Sequence, residues 1–479
     1  MPLVDGAQLF IGGQFRAAER TELVIEAATE RPLGDGASAT KTEVDAAVRA
    51  ARSALVVWRS TPTEQRAAAL NRFASALRSR AKATSELISR ESGLPISLSR
   101  DASGALPAAL LDYYAALVVE TPIEEVRLNA TGHTIVRREA VGVVAAIPPW
   151  NYPHSLATTK IAPALAAGCT MVLKAAPETA LDALIFGEAA MEAGLPPGVL
   201  NVIAGGATTG SYLVAHPDVN KVAFTGSTQV GRVIGETCGR LMRPVMLELG
   251  GKSAAIILDD ADLEATVEGL RAVSFANSGQ ICFQNSRILA PRSRYAEIVD
   301  AVATLAESLT LGDPLDPSTE IGPLVSARQR DRVLNYISIG NTSSAKLVTG
   351  GVVPRGRPLG WFVTPTVFAD VKNSDRIARE EIFGPVLSII PYDSETEAID
   401  IANDSEFGLG GTVWSVDTDH ATDVARQITT GTIGINGYPV DPGAPFGGVK
   451  ASGIGRELGP EGLSAYQTLK SIYRTEAAD

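Results

Sequence analysis

The chain has 479 residues, 45% hydrophobic and 20% charged, with a net charge of −12. That length exceeds one ordinary core and implies two or three domains in a globular protein. The acidic charge carries no long run of one sign, which excludes nucleic acid or an anionic membrane surface as the natural partner.

Residues 1 to about 40 read as short strands and turns, with Gly12 and Gly13 at a hairpin turn. Helical spacing starts at Thr42, continues from Thr63 to Ser92, breaks at Gly93-Leu94-Pro95 and resumes from Ser103 to Glu120. Residues 121–139 alternate apolar and polar, the pattern of an exposed two-stranded ribbon. From 140 to 260, apolar runs of strand length alternate with helical segments. The runs are 141–147, 170–173, 199–203 and 221–224, and a helix is expected from Asp182 to Ala193. This alternation predicts parallel strands with crossover helices, a doubly wound α/β domain whose ligands bind at the carboxyl edge.

The loops on that edge are Pro148-Pro149-Trp150-Asn151-Tyr152-Pro153, Lys174-Ala175-Ala176-Pro177-Glu178, Ala204-Gly205-Gly206 and Thr225-Gly226-Ser227-Thr228. The last suits a pyrophosphate at a helix N-terminus, or a plain helix cap. A G-x-G-x-x-G fingerprint is missing. In Val245-Met246-Leu247-Glu248-Leu249-Gly250-Gly251-Lys252 a carboxylate sits inside an apolar run, which is costly unless the group is paired or functional. A helix capped near Asp259–Asp262 is expected to run to Asn277 and the corner at Cys282. Cys282 there is either a nucleophile or a small buried hydrophobe. Residues 469–474 read as an edge strand.

The three cysteines and four histidines are scattered, so neither a disulfide framework nor a metal site is expected. Widely spaced thiols suit a reducing compartment. The first six residues lack the basic segment of a signal peptide, and no uninterrupted apolar stretch of spanning length is expected. These features predict a cytoplasmic protein of the size of an enzyme.

Five motifs in order resemble the NAD(P)-dependent aldehyde dehydrogenase superfamily. They are 149–153, Phe224-Thr225-Gly226-Ser227-Thr228, Leu247 to Lys252, Phe275 to Arg287, and Glu381-Ile382-Phe383-Gly384-Pro385-Val386. The resemblance runs from about residue 10 to the C-terminus, and several ordered motifs are far more specific than one. It implies two doubly wound α/β domains and a β-ribbon oligomerisation arm. Residues 1–120 and 140–249 would bind dinucleotide, 250–452 would be catalytic, and 121–139 with 466–479 would form the arm of a homodimer or homotetramer.

The resemblance also implies the chemistry. Cys282 attacks an aldehyde, Asn151 and the Cys282 N–H stabilise the oxyanion, and Lys160 sits near them. A hydride leaves for the nicotinamide, and Glu248 activates the water that hydrolyses the thioester to the acid. Lys174 would contact the adenosine ribose, Ser227 the pyrophosphate and Glu381 the nicotinamide ribose. Ile147, Pro149, Trp150, Gly205, Phe224, Gly226, Leu249 and Phe383 would complete the cofactor cleft. Tyr152, Leu156, Thr159, Ile281 and Phe283 would face the substrate, with the small Thr159 pointing to a medium-to-bulky apolar aldehyde. Many members carry a glutamate three positions after the ribose-contacting lysine. Here that position is Pro177, with Glu178 one step on, so NAD is expected first and NADP stays open.

Overall fold

The computed structural model describes residues 6–130 and 132–475. The signal-peptide reading rests largely on residues 1–5 and lies outside them, as do position 131 and the last four residues of the C-terminal arm.

One eight-stranded sheet carries five parallel strands in the order Leu200–Ala204, Thr170–Ala175, Val143–Ile147, Lys221–Thr225, Val245–Glu248. The first three and Lys221–Thr225 are buried along their whole length, which is why they read as continuous apolar runs. The hairpin Gln8–Ile11/Gln14–Ala17 closes one edge, antiparallel to Leu200–Ala204. Gly453–Ile454 closes the other, antiparallel to Val245–Glu248. The strand order grows one way from Val143–Ile147 and then the other. That reversal is a topological switch point, where a crevice opens at the carboxyl ends. The loops after Ile147 and Thr225 flank it.

A second, seven-stranded sheet runs Lys346–Thr349, Thr366–Ala369, Val386–Tyr392, Asn285–Pro291, Ser253–Ile257, Gly411–Trp414, Gly434–Ile435. Its neighbours pair in parallel except for the antiparallel edge strand Lys346–Thr349. Chain direction fixes how the sheets meet. Glu248 ends a strand of the first sheet, and the four residues 249–252 lead to the start of Ser253–Ile257. Cys282 lies just before Asn285–Pro291 and Glu381 just before Val386–Tyr392. The carboxyl edge of one sheet and the amino edge of the other therefore contribute to one cleft.

Two helical expectations are corrected. The helix capped by Asp262 spans only Leu263–Leu270, then loosens into a π turn, Arg271–Phe275, and a tight turn, Ala276–Gly279. Asn277, Ser278 and Gly279 are consecutively left-handed, with φ of 51°, 54° and 73°. Cys282 therefore does not sit at the mouth of a regular helix, and a helix-end dipole cannot be assigned to it. The second correction concerns the helix expected to resume at Ser103: the helical run already starts at Ile96 and ends at Glu120. Its 25 residues are apolar enough on average to cross a membrane, but Arg100, Asp101 and Asp112 interrupt it, so no uninterrupted apolar stretch results. Here it packs against Thr63–Ser92 and Pro153–Ala167 with Leu110, Leu111 and Tyr114 buried, as a core helix does.

Glu124–Asn129, Gly132–Ala140 and Gln467–Thr475 form a separate three-stranded antiparallel sheet. It exposes Val126, Leu128, Leu469, Ile472 and Tyr473.

The core also holds two carboxyls. Glu91 accepts hydrogen bonds from the Leu181 and Asp182 N–H groups at 2.9 and 3.2 Å. Burial pushes Glu91 up from 4.5 to about 8, and burial with the Glu91 charge raises Asp182 well above its usual range. A folded pKa above the unfolded one stabilises below the unfolded value, and that stability is lost as pH rises through the folded value. Glu91 thus places the loss between about pH 4.5 and pH 8. In urea denaturation, Asp182→Asn gains on the wild type as pH rises from about 5 to about 8. A pH-independent difference would contradict the raised carboxyl pKa values.

Candidate active site

The corner before Cys282 is held by its own polar side chains. Asn277 Nδ2 donates to the Asn151 carbonyl at 3.1 Å, and Gln280 Oε1 accepts from the Val325 N–H at 3.1 Å. Gln284 Nε2 donates to the carbonyls of Ser274 and Gly384, at 2.8 and 3.0 Å. These bonds anchor three left-handed residues that would otherwise cost backbone strain. Two glycines let the strand connection approach. A Cβ on Gly251 would lie 2.4 Å from the Cys282 carbonyl oxygen, and one on Gly250 would lie 2.5 Å from a Glu381 carboxylate oxygen.

Cys282 is half-buried. Burial raises its thiol pKa, and the charges of Glu248 and Glu381 raise it further; the N–H groups of Phe283 and Cys282 oppose this. Asn151 is buried, and its Nδ2 donates to the Gln280 carbonyl at 2.9 Å. That leaves its second amide N–H uncommitted among the described residues, and its Oδ1 has no hydrogen-bond partner. Glu248 is buried with both carboxylate oxygens unpartnered. Burial lifts its pKa well above normal and the nearby Glu457 adds to the rise, against the pull of Lys160 and Arg456.

Lys160 is the placement that changes. Its ammonium donates to Glu457 Oε1 and Thr225 Oγ1, each at 2.7 Å, and to the Leu156 carbonyl at 3.2 Å. An ammonium has three protons, and all three are used. None remains for an oxyanion. Lys160 instead lies behind Glu248, whose strand neighbour is Thr225.

The cofactor candidates gather on the switch-point edge. Lys174 ends up inside its strand, not in the loop after it, and its Nζ donates to the Gly205 carbonyl at 2.6 Å. Burial pushes Lys174 down to about 8. Ser227 is exposed and caps Thr228–Arg240 by accepting from the Val230 N–H. Gly226 packs over Phe224, whose ring a Cβ would meet at 2.5 Å. Ile147, Phe224 and Leu249 are buried beneath this edge, and Pro149 is half-buried beside it. Glu381 accepts from the Gly251 N–H at 3.1 Å, and burial lifts its carboxyl to about 7. Phe383 has a left-handed φ of 63° and meets Trp150 edge-on at 5.4 Å. Gln329 fixes that strained residue by donating to its carbonyl at 2.7 Å. Glu178 pairs with Arg328 at 3.1 Å.

Among the residues expected to face the substrate, Phe283 stacks on Tyr438 at 4.6 Å and meets Phe446 edge-on at 6.3 Å. A cavity of about 420 Å³ adjoins these rings and is lined by Ile433, Ile435, Tyr438, Val440, Pro445 and Phe446, among others. Tyr152 is raised in pKa by burial and by the nearby Cys282. Ile281 and Thr159 are buried, and Thr159 spends its hydroxyl on the Leu156 carbonyl at 3.0 Å. Leu156 is half-buried. Sequence reasoning missed Glu457, Thr225, Tyr438 and Phe446. Phe446 lies in the run Pro445-Phe446-Gly447-Gly448, whose glycines mark a turn, whereas nothing local marks Glu457.

A profile described as the aldehyde dehydrogenase family matches residues 15–472. The chain is 52% identical over 475 residues to geranial dehydrogenase of Castellaniella defragrans, covering 98% of this chain and 99% of that protein. Among solved structures it is similar to an aldehyde dehydrogenase of Mycobacterium tuberculosis complexed with NAD+, with TM-score 0.96, 46% identity and 99% of each chain covered. It is also similar to a mutant of Pseudomonas syringae aldehyde dehydrogenase C in complex with NAD+ and octanal, with TM-score 0.96, 38% identity and coverage of 99% and 98%.

Proposed function

The chain belongs to the aldehyde dehydrogenase family, and on that premise we propose which of its residues perform the reaction and which aldehydes it takes. The reaction is NAD(P)-dependent oxidation of an aldehyde to a carboxylic acid, through a hemithioacetal and then a thioester on a cysteine. The cysteine is Cys282, which attacks the carbonyl carbon. The free Asn151 amide N–H and the Cys282 backbone N–H hold the oxygen that becomes negative. Glu248, a carboxylate with no competing hydrogen bond, takes the proton from the hydrolytic water. Lys160 and Glu457 sit near it as a buried ion pair, Lys160 favouring its ionised form and Glu457 opposing it.

The chain's own groups fit a dinucleotide. Lys174 holds the Gly205 carbonyl and Glu381 the Gly251 N–H, and Gly226 and Ser227 open a helix of 13 residues whose N-terminus suits a pyrophosphate. These residues would hold a nicotinamide cofactor, which would supply the hydride acceptor for the reaction at Cys282. We take NAD first, since the structural relatives named above are NAD+ complexes. NADP stays allowed, because position 177 is proline and Glu178 is turned to Arg328.

The substrate is a medium-to-bulky apolar aldehyde. The aromatic wall of Phe283, Tyr438 and Phe446 supports this, and so does the small Thr159. The relative at 52% identity is named for geranial, so terpenoid aldehydes head the test set. A steady-state panel of short, branched, terpenoid and aromatic aldehydes with NAD and NADP should rank apolar aldehydes of terpenoid size highest by kcat/KM. Highest activity on short or charged aldehydes would refute the assignment. Thr159→Phe should lower kcat/KM for branched aldehydes by roughly 10-fold or more relative to short ones.

The exposed apolar side chains of the three-stranded sheet support a homodimer or homotetramer, which light scattering would read directly. We further assign the protein to the cytoplasm, on its three unpaired cysteines. Its domains divide at residues 249/250, with 121–139 and 466–479 as the arm. The observation that carries the functional reading is the convergence of Cys282, Asn151 and Glu248 from two sheet edges, the latter two with unused polar atoms.

A further inference from the structure

Lys252 follows the catalytic connection but points away from any partner. Its ammonium is buried and makes no hydrogen bond within the chain. The same is true of the neighbouring Ser253 hydroxyl, and the Thr430 hydroxyl is likewise buried and unpartnered. These three residues and Arg287 border one small cavity of about 10 Å³, closed by apolar Ala254, Ile256 and Phe407 among others. Buried polar groups are almost always paired, so three that converge on one space demand a common partner.

The charge decides what that partner is. Arg287 is buried and donates only to neutral acceptors: the carbonyls of Lys252, Ile401 and Ala402, and Asn373 Oδ1. Neither Arg287 nor Lys252 has a carboxylate at ion-pair distance among the described residues. The charges that reach Lys252 from further off are Arg287, Glu381, Glu380 and Arg332; those reaching Arg287 are Arg379 and Asp404, and Lys450 also lies in its field. Burial, with Arg287 adding to it, pushes Lys252 down to about 7. A bridging water would satisfy the hydroxyls but, wherever the Lys252 amine is protonated, leave two buried cations uncompensated.

We propose that Lys252, Arg287, Ser253 and Thr430 form a buried site for a single monoatomic anion of chloride's class. The ammonium and the two hydroxyls donate to it, and its charge offsets the two cations. The space is about that of one small sphere, which excludes phosphate, sulfate and carboxylates. The anion binds with the protonated amine, so binding strengthens as pH falls through about 7.

The test uses the full-length protein with NAD present. Crystals soaked in sodium bromide should show an anomalous bromine peak between Lys252 Nζ, Ser253 Oγ and Thr430 Oγ1. In solution at constant ionic strength, exchanging gluconate for chloride should raise Tm by about 2 °C or more, and by more at pH 6 than at pH 9. Lys252→Met should abolish the halide response and Thr430→Val should weaken it. The conservative Thr430→Val keeps the test informative if Lys252→Met fails to fold. An ordered water with no bromine signal would overturn the proposal. So would a Tm indifferent to halide, or variants that respond as the wild type does.

Discussion

Cys282→Ala removes aldehyde-dependent NAD reduction, with kcat falling by about 10⁴-fold or more. The loss is this large because no other group can replace the sulfur. The remaining cysteines, Cys169 and Cys238, are buried in the core of the first sheet's domain, away from the cleft. Hydride leaves readily only from a carbon that carries both an oxyanion and a bond to sulfur, and alanine permits neither. The backbone of the corner should survive, since it is held by Asn277, Gln280 and Gln284 and not by the thiol. The variant should therefore still bind NAD, read as quenching of tryptophan fluorescence or by calorimetry. A variant that keeps its turnover would disprove the mechanism. The wild-type thiol also has a raised pKa, through burial first and then Glu248 and Glu381. Without NAD, its alkylation rate should climb with pH well past the range of an ordinary cysteine.

Glu248→Gln separates the two halves of the reaction. Cys282 and Asn151 remain, so the first turnover proceeds and one equivalent of NADH appears as a burst in stopped flow. Hydrolysis of the thioester then limits, and steady-state kcat falls by about 10²- to 10⁴-fold. Glutamine suits the position sterically, because neither carboxylate oxygen gives up a hydrogen bond when it is replaced. The pH dependence should follow. The base works only when ionised, and burial and Glu457 raise its pKa. Deacylation in the wild type therefore speeds up as pH rises, and the variant loses that limb. A variant with no burst would place Glu248 in the first half of the reaction instead.

Much of this architecture was legible in the sequence for a physical reason. Strands buried on both faces must be apolar throughout, so Val143–Ile147, Thr170–Ala175 and Lys221–Thr225 announced a parallel sheet. The ribbon at 124–140 announced itself by alternation of apolar and polar residues, although Glu124–Asn129 is exposed along its whole length. The candidate site was legible where an ordered set of motifs carried it, and Glu248 also by its cost as a charge in an apolar run. What stayed hidden depends on long-range packing. Lys160 meets Glu457 across 297 residues, and no local pattern encodes that. The helix before Cys282 was overextended because its residues have helical propensity. The tight turn wins through bonds to Asn151, Gly322 and Val325, which belong to other segments.

The wall formed by Tyr438 and Phe446 comes from an irregular stretch, whereas the nucleophile and the base come from the ends of two sheets. Part of the proposed recognition surface is thus encoded in a stretch separate from the nucleophile and the base, while Phe283 and Tyr152 adjoin Cys282 and Asn151 in the chain. Loops absorb substitutions and length changes that buried strands cannot. Descendants of this sequence could therefore acquire new aldehydes by rewriting residues 431–446 while the reaction centre is inherited intact.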